Sequence, residues 1–244
     1  MWKKVWFMAR TEMGMVFKSR QVRMIPIIVV IMSVAFGGLM TWMTATMGLM
    51  DPFSYSMMMN SVMGVVVIML PLMLPILIAA DSIVGEKERH TLVPLLATPL
   101  SDSELLLGKF LTALIPGLLV AYGNLILAVL VVNGVVFFMA PYLLWVWPDF
   151  LSLMQAVLLP ILFSILSVGM MVIISGRANT VYEAYQTGGI LILPAMAFAY
   201  SGFFAGLSWI IFVTGVVILV VVDIILFRVA VRLFKRDDLI SRSG

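Results

Sequence analysis

Apolar stretches of about 20 residues or more recur along this chain, and they restrict its fold more than any other feature. Only 11% of the 244 residues are charged, whereas soluble domains carry about 25%. Helices of this length cross a bilayer, and lipid-exposed backbone must form its hydrogen bonds within its own segment. Membrane barrels show short alternating strands instead. The sequence therefore predicts an all-α membrane protein.

The apolar runs divide into six predicted transmembrane helices. The spans cover residues 26–47, 60–84, 106–138, 152–175, 184–201 and 207–227 in one transmembrane domain. Pro71 and Pro75 predict a kink in the second span, and Pro116-Gly117 predicts an interruption of the third. Trp145 and Trp147 lie in a loop between spans three and four, where an aromatic belt at the membrane surface is expected.

Residues 1–24 are both basic and apolar, with the apolar positions at helical spacing. The apolar set is Trp2, Val5, Trp6, Ala9, Met13, Val16 and Phe17. This pattern is typical of an amphipathic helix that lies in the membrane interface, with its tryptophans at headgroup depth. A signal peptide would be shorter and would end in a small-residue cleavage site, which is not visible here.

The basic residues lie on one side of the predicted membrane. All 15 Lys and Arg fall in the amino-terminal helix, the polar segment after span two, the loop at Arg177 and the carboxy-terminal tail. The opposite loops contain Asp51 and Asp149 but no basic residue. This bias places both termini in the cytoplasm. It also accounts for the net charge of +3 without a nucleic-acid partner.

The longest polar segment between the termini is residues 81–109, with the sequence DSIVGEKERHTLVPLLATPLSDSELLLGK. Seven ionisable side chains lie between Glu86 and Glu104. GEKERHTLVPLL is charged first and apolar afterwards, which predicts a short cytoplasmic helix. A solvated connector explains the charges alone, but the exposed leucines favour a surface that docks on a partner. Ser101 and Glu104 have the spacing of a capping box, which predicts the start of the helix leading into span three.

Several chemistries are missing from the sequence. It contains no GxxxxGK[ST] phosphate loop, no HExxH and no GxSxG motif, so we expect no ATPase, metalloprotease or serine hydrolase site. There is no cysteine, and His90 is the single histidine. The 21 methionines show no regular spacing and are interpreted as flexible packing residues rather than copper ligands. We therefore expect the chain to bind no cofactor or metal.

The polar segment resembles the signature loop of ABC-2 type transporter permeases. The similar residues are DSIVGEKERHTL, then LLATPLS and ELLLGK, and the loop 175–186 followed by GGILILP also resembles that family. The order of elements is similar across nearly the whole chain. One departure is the short connection at residues 201–206, where many members have re-entrant outer helices.

The resemblance implies a coupling helix between spans two and three that seats in a separate ATPase subunit. The implied docking residues are Glu86, Lys87, Glu88, Arg89, Thr91, Leu92, Val93, Leu95 and Leu96. Two ATPase subunits carrying ATP and Mg²⁺ would lie beneath two permeases, the second being another copy or a homologue. The implied location is the plasma membrane of a prokaryote.

Two acidic residues lie at or within the spans. Asp81 ends the second span and is expected to face water or to cap the polar segment. Asp223 lies inside the sixth span, where a carboxylate is costly. It either pairs with Arg228 in a structural role or lines a path for a polar substrate.

These features predict the membrane subunit of an ATP-driven exporter that works by alternating access. A secondary transporter or channel is one alternative, but it would show ionisable residues along a midplane path or an inverted repeat. A membrane scaffold that recruits a soluble ATPase without transporting anything is the other. The residues of the spans do not identify a substrate.

The predicted topology is tested with single cysteines, because the chain has none of its own. Cysteines replacing Asp51 and Asp149 should react with an impermeant thiol reagent on intact cells. Cysteines replacing Glu88 and Arg177 should react only after the cells are opened. External labelling at Glu88 would contradict the six-span arrangement.

Overall fold

The computed structural model describes residues 2–18, 20–47, 52–89, 101–139, 150–175, 177–190, 192–194 and 209–233. Every element in the described part of the chain is a helix, without any strand. The helices are α1 (Trp2–Val16), α2 (Arg20–Thr46), α3 (Pro52–Glu88), α4 (Asp102–Met139), α5 (Phe150–Ser175), α6 (Val181–Gly189) and α7 (Trp209–Leu233). The predicted all-helical class is therefore confirmed.

Within the described residues, four segments are long and apolar enough to cross a membrane. They are Val22–Thr46, Ser103–Met139, Leu153–Ser175 and Phe212–Val231, in α2, α4, α5 and α7. They coincide with the first, third, fourth and sixth predicted spans. The second predicted span lies within α3. The fifth is described only at residues 184–190 and 192–194, so the count of six stays a prediction.

Helix α3 is the centre of the bundle. It contacts α1, α2, α4, α5 and α6, and each of its residues from Leu74 to Gly85 is buried. A helix that is apolar all round is suited to this position, because it has no face to direct toward water. Helix α1 packs on α4, and α7 packs on α5. The exposed faces of α2 and α7 carry large apolar side chains such as Ile31 and Ile210, as expected for helices that face lipid.

The observed helix boundaries differ from the predicted ones at three places. Helix α3 continues to Glu88, so residues 86–88 form its last turn and not the start of a separate helix. Helix α4 runs through Pro116 without the predicted interruption, which membrane helices tolerate because neighbouring groups satisfy the freed backbone. The amino-terminal segment is two helices, since α1 ends at Val16 and α2 begins at Arg20.

Gly117 of α4 faces Pro75 of α3 at close range. A Cβ atom added to Gly117 would lie 2.6 Å from Cγ of the Pro75 ring. The ring is rigid and cannot rotate away, so the contact needs a residue without a side chain. Gly117 thus fixes the separation of the two helices at this level.

Replacing Gly117 with alanine is expected to destabilise the protein. Overpacking of this kind costs about 1–3 kcal/mol, which exceeds the gain of about 1 kcal/mol in helix propensity. Gly123→Ala and Gly134→Ala are matched controls on the same helix, since nothing lies within 4 Å of a Cβ there. Thermal unfolding of the detergent-solubilised protein should show a lower Tm for Gly117→Ala alone. An unchanged Tm would mean that the helices separate easily.

Candidate coupling site

The predicted docking residues divide into two groups in the structure. Glu86, Lys87 and Glu88 form the last turn of α3, and Arg89 follows in a turn. Thr91, Leu92, Val93, Leu95 and Leu96 lie outside the described residues, as does His90. The site is therefore built here from the four charged residues and the groups that contact them.

Each of the four charged side chains has a partner within the chain. Arg89 forms an ion pair with Asp81, with 2.8 Å between Nη2 and Oδ1. Lys87 donates through Nζ to the carbonyl of Ala178 at 3.3 Å. The carboxylate of Glu88 accepts from the backbone N–H of Val181 at 3.0 Å. The contacts of Lys87 and Glu88 join the end of α3 to the start of α6, whereas the Arg89 pair lies within α3 and its following turn.

The segment before α6 has its own capping interactions. Thr180 is the N-cap, and its hydroxyl accepts from the N–H of Glu183 at 3.2 Å. The Glu183 carboxylate in turn accepts from the N–H of Asn179 at 2.9 Å. The helix therefore begins inside the predicted inner loop, because this pair satisfies backbone N–H groups at the start of the helix. Glu88 adds a third acceptor at the same helix end.

Glu86 binds a buried lysine on α4. The Nζ atom of Lys109 lies 2.7 Å from Oε2 of Glu86 and donates to the carbonyl of Ser82 at 2.6 Å. Its side chain is 1% exposed and also lies 3.4 Å from Oε1 of Glu12 on α1. The Ser82 hydroxyl donates to the other Glu12 oxygen at 3.0 Å. We call Glu12, Ser82, Glu86 and Lys109 the buried ion cluster.

The buried ion cluster joins three helices through one ammonium group. Helix α1 supplies Glu12, α3 supplies Ser82 and Glu86, and α4 supplies Lys109. One positive charge faces two carboxylates. The pKa of Glu86 is raised because burial disfavours the charged form, although Lys109 acts in the opposite direction. The cluster therefore depends on Lys109, without which two carboxylates would share a buried site.

Sequence reasoning did not identify Glu12, Ser82 or Lys109. One signal was available for Glu12, which follows Val5 and Ala9 at helical spacing and so lies on an apolar stripe of α1. The structure buries that stripe, formed by Val5, Met8, Ala9, Glu12 and Val16. A charge on such a stripe indicates a buried partner. The sequence did not indicate that the partner is Lys109, because that residue lies 97 positions away.

Asp223 is buried in α7 and is 6% exposed. Neither carboxylate oxygen has a hydrogen-bond partner among the described residues. The predicted pairing with Arg228 is therefore not formed, and Arg228 is exposed. Asp223 lies on α7, which contributes no residue to the buried ion cluster. Its role in lining a transport path stays a prediction.

The part of the chain that the structure describes shows no candidate metal site. It contains no group of three or more acidic, histidine or cysteine side chains arranged to hold a metal ion. Its charged groups hold helices together at one end of an apolar bundle, which is the construction of a multi-pass membrane protein with a polar junction. Together with the long apolar helices, this places the chain in the class of multi-pass membrane proteins.

Comparison with known proteins identifies the family of this membrane protein. Residues 16–184 match the ABC-2 family transporter protein family, which is more than half of the chain. The chain belongs to that family. Its members are membrane subunits of ABC transporters and do not themselves contain the ATPase, so the family implies an ATPase partner. The resemblance predicted from the polar segment is confirmed.

A curated relative supports the same assignment. The chain is 33% identical over 129 residues to a protein named "Probable ABC transporter permease protein NosY" from Pseudomonas aeruginosa. The alignment covers 52% of this chain and 46% of the relative. This chain therefore aligns with less than half the length of that relative.

Replacing Lys109 with methionine is expected to destabilise the protein strongly. The change removes the cation but leaves Glu12 buried and Glu86 partly buried. Removal of one partner of a buried ion pair costs about 3–5 kcal/mol. Lys87→Met is the matched control, because that lysine is only partly buried and forms one hydrogen bond, to a carbonyl. Unfolding of the detergent-solubilised protein gives the comparison.

A triple variant separates lost charge balance from lost packing. Adding Glu12→Gln and Glu86→Gln to Lys109→Met removes the two uncompensated charges and should restore most of the free energy of unfolding. If the triple variant is no more stable than Lys109→Met alone, the loss comes from side-chain volume rather than from electrostatics.

Proposed function

We propose that this chain is the transmembrane permease subunit of an ATP-driven ABC exporter. A separate ATPase subunit would dock on residues 86–96 and drive export by alternating access. The observation that carries the proposal is the set of bonds at the end of α3. Glu86 bonds the last turn of α3 to α4, and Lys87 and Glu88 bond it to the segment at the start of α6. Arg89, in the turn that follows α3, pairs with Asp81 of that helix.

The bonds give a route for a force applied at the docking segment. A displacement of residues 90–100 acts first on Arg89 and the last turn of α3. The buried ion cluster passes it to α1 and α4, and the contacts of Lys87 and Glu88 pass it to the start of α6. Packed elements of this kind move as units because cores are close-packed and resist gradual deformation. The spans would therefore tilt together.

The docking surface proposed here has a charged rim and an apolar anchor. Glu88 and Arg89 are exposed and available to a partner at their outer sides. Glu86 is directed toward Lys109 and is proposed to position the docking segment. The apolar anchor would be formed by Leu92, Val93, Leu95 and Leu96, with Thr91 between the two. ATP and Mg²⁺ would be bound by the partner, and this chain would bind no cofactor.

A functional transporter would contain two permeases and two ATPase subunits. The second permease would be another copy of this chain or a homologue, and the bilayer would contact the remaining apolar faces. Both termini would be cytoplasmic in the plasma membrane of a prokaryote, with no nucleic-acid partner. Asp223 would lie along the transport path, since it is buried and its carboxylate lacks a hydrogen-bond partner among the described residues.

Docking is tested by comparing one residue of the proposed apolar anchor with one charged residue in the last turn of α3. Truncation of a buried anchor costs about 2 kcal/mol or more, whereas an exposed ion pair is worth about 0–1 kcal/mol. We expect Leu92→Ala to reduce co-purification of a co-expressed ABC ATPase, and Lys87→Ala to leave it nearly unchanged. ATP hydrolysis by each reconstituted complex is measured in parallel.

Two controls complete this experiment. The permease purified alone should hydrolyse no ATP above a detergent blank, and robust hydrolysis by the pure chain would refute the proposal. Charge reversal at Arg89 should slow hydrolysis and transport through repulsion even where the complex still assembles. If every variant retains and stimulates the ATPase like the wild type, residues 86–96 are only a connector.

A further inference from the structure

Helix α1 has a second face, on the side of the helix away from Glu12 and the buried ion cluster. Phe7, Arg10, Thr11, Gly14, Met15 and Lys18 line a surface depression with a volume of about 430 Å³. Counted from Phe7, the other positions are i+3, i+4, i+7, i+8 and i+11, which is the spacing of one stripe on a helix. At 100° per residue this stripe lies on the side of α1 roughly opposite the buried residues Val5, Ala9 and Glu12. It therefore points away from the rest of the bundle.

Two cations, Arg10 and Lys18, line the depression on either side of Gly14, and the space above Gly14 is empty. Arg10 lies one helical turn before Gly14, and Lys18 lies four residues after it, in the turn that follows α1. Nothing lies within 4 Å of a Cβ built on Gly14. Both cations are exposed, and neither forms an ion pair with a described residue. Two long basic side chains can thus converge on a ligand above the glycine.

The exposed charge of α1 is entirely positive. Its one acidic residue, Glu12, is 4% exposed and faces Lys109. The depression therefore attracts anions, and Phe7 and Met15 add exposed apolar surface at 72% and 57% exposure. An apolar surface beside two cations suits an amphiphilic anion better than a free ion.

The neighbouring stripe of α1 indicates where such an amphiphile would come from. Trp2 and Trp6 lie one turn apart and are 68% and 51% exposed. Exposed tryptophans of a membrane protein lie at the level of the lipid headgroups. Arg10 is on the same short helix and Lys18 is in the turn that follows it, so both are expected at a similar depth, where the phosphates of lipids are found.

We propose that the stripe from Phe7 to Lys18 binds the headgroup of an anionic glycerophospholipid. Its phosphate lies over Gly14 between Arg10 and Lys18, and its glycerol and upper acyl chain contact Phe7 and Met15. The bound lipid holds α1 at the membrane surface and thereby supports the position of Glu12 against Lys109. This site does not depend on the ATPase or on the direction of transport.

The test is a titration of the full chain, in detergent, with phosphatidylglycerol, followed by native mass spectrometry. Each basic residue near an anionic lipid surface is worth about 1 kcal/mol, or about fivefold in affinity. Arg10→Gln/Lys18→Gln should weaken binding of the first lipid by more than tenfold. Lys3→Gln/Lys4→Gln is the matched control, because it removes the same charge from the same helix outside the depression. It should change binding by less than threefold.

Two further arms make the result decisive. Gly14→Glu keeps both cations but places a carboxylate four residues from each of them. The carboxylate should pair with the cations and repel the lipid phosphate, so this variant should also lose tight binding. It tests the site even if the double glutamine variant fails to fold. Phosphatidylcholine and inorganic phosphate should bind weakly to the wild type. Equal losses in the two glutamine variants, tight binding by Gly14→Glu or equal binding of phosphatidylcholine would overturn the proposal.

Discussion

The ammonium group of Lys109 is the charge on which the polar end of this bundle depends. A buried cation is tolerated only where carboxylates and carbonyls replace the water it has lost, and here Glu12, Glu86 and Ser82 do so. The three groups come from two other helices, so satisfying one lysine requires α1, α3 and α4 to meet at one place. Because breaking such a pair leaves an uncompensated charge, the junction resists separation of the helices.

The same constraint explains how a surface helix can be part of a transport mechanism. Helix α1 would be a peripheral element if only its apolar residues contacted α4. Glu12 instead connects it to the last two turns of α3, next to the proposed docking segment. The opposite face of α1 carries cations that form no ion pair with a described residue. Helix α1 thus has an ionic contact to the protein on one side and, by our proposal, to lipid on the other.

Much of the architecture was readable from local sequence, because local forces set it. The capping box at Ser101 is present, with the Glu104 N–H 3.3 Å from the serine hydroxyl and the Ser101 N–H 3.0 Å from the Glu104 carboxylate. Four apolar runs form the helices expected of them. The expected helix start at Glu86 was wrong for a nonlocal reason. A charged residue normally marks the end of a span, but the partner of Glu86 on α4 allows α3 to continue to Glu88.

The sequence by itself determined the helical class, the approximate position of most spans and the family, since these follow from apolar length, basic-residue bias and one ordered motif. Only the tertiary structure decided which charges are satisfied inside the protein. The pairs Lys87 with Ala178, Glu88 with Val181 and Lys109 with Glu12 are each separated by more than 90 positions in the sequence. No local pattern encodes such pairs, because their free energy depends on which helices pack together and on how completely water is removed between them.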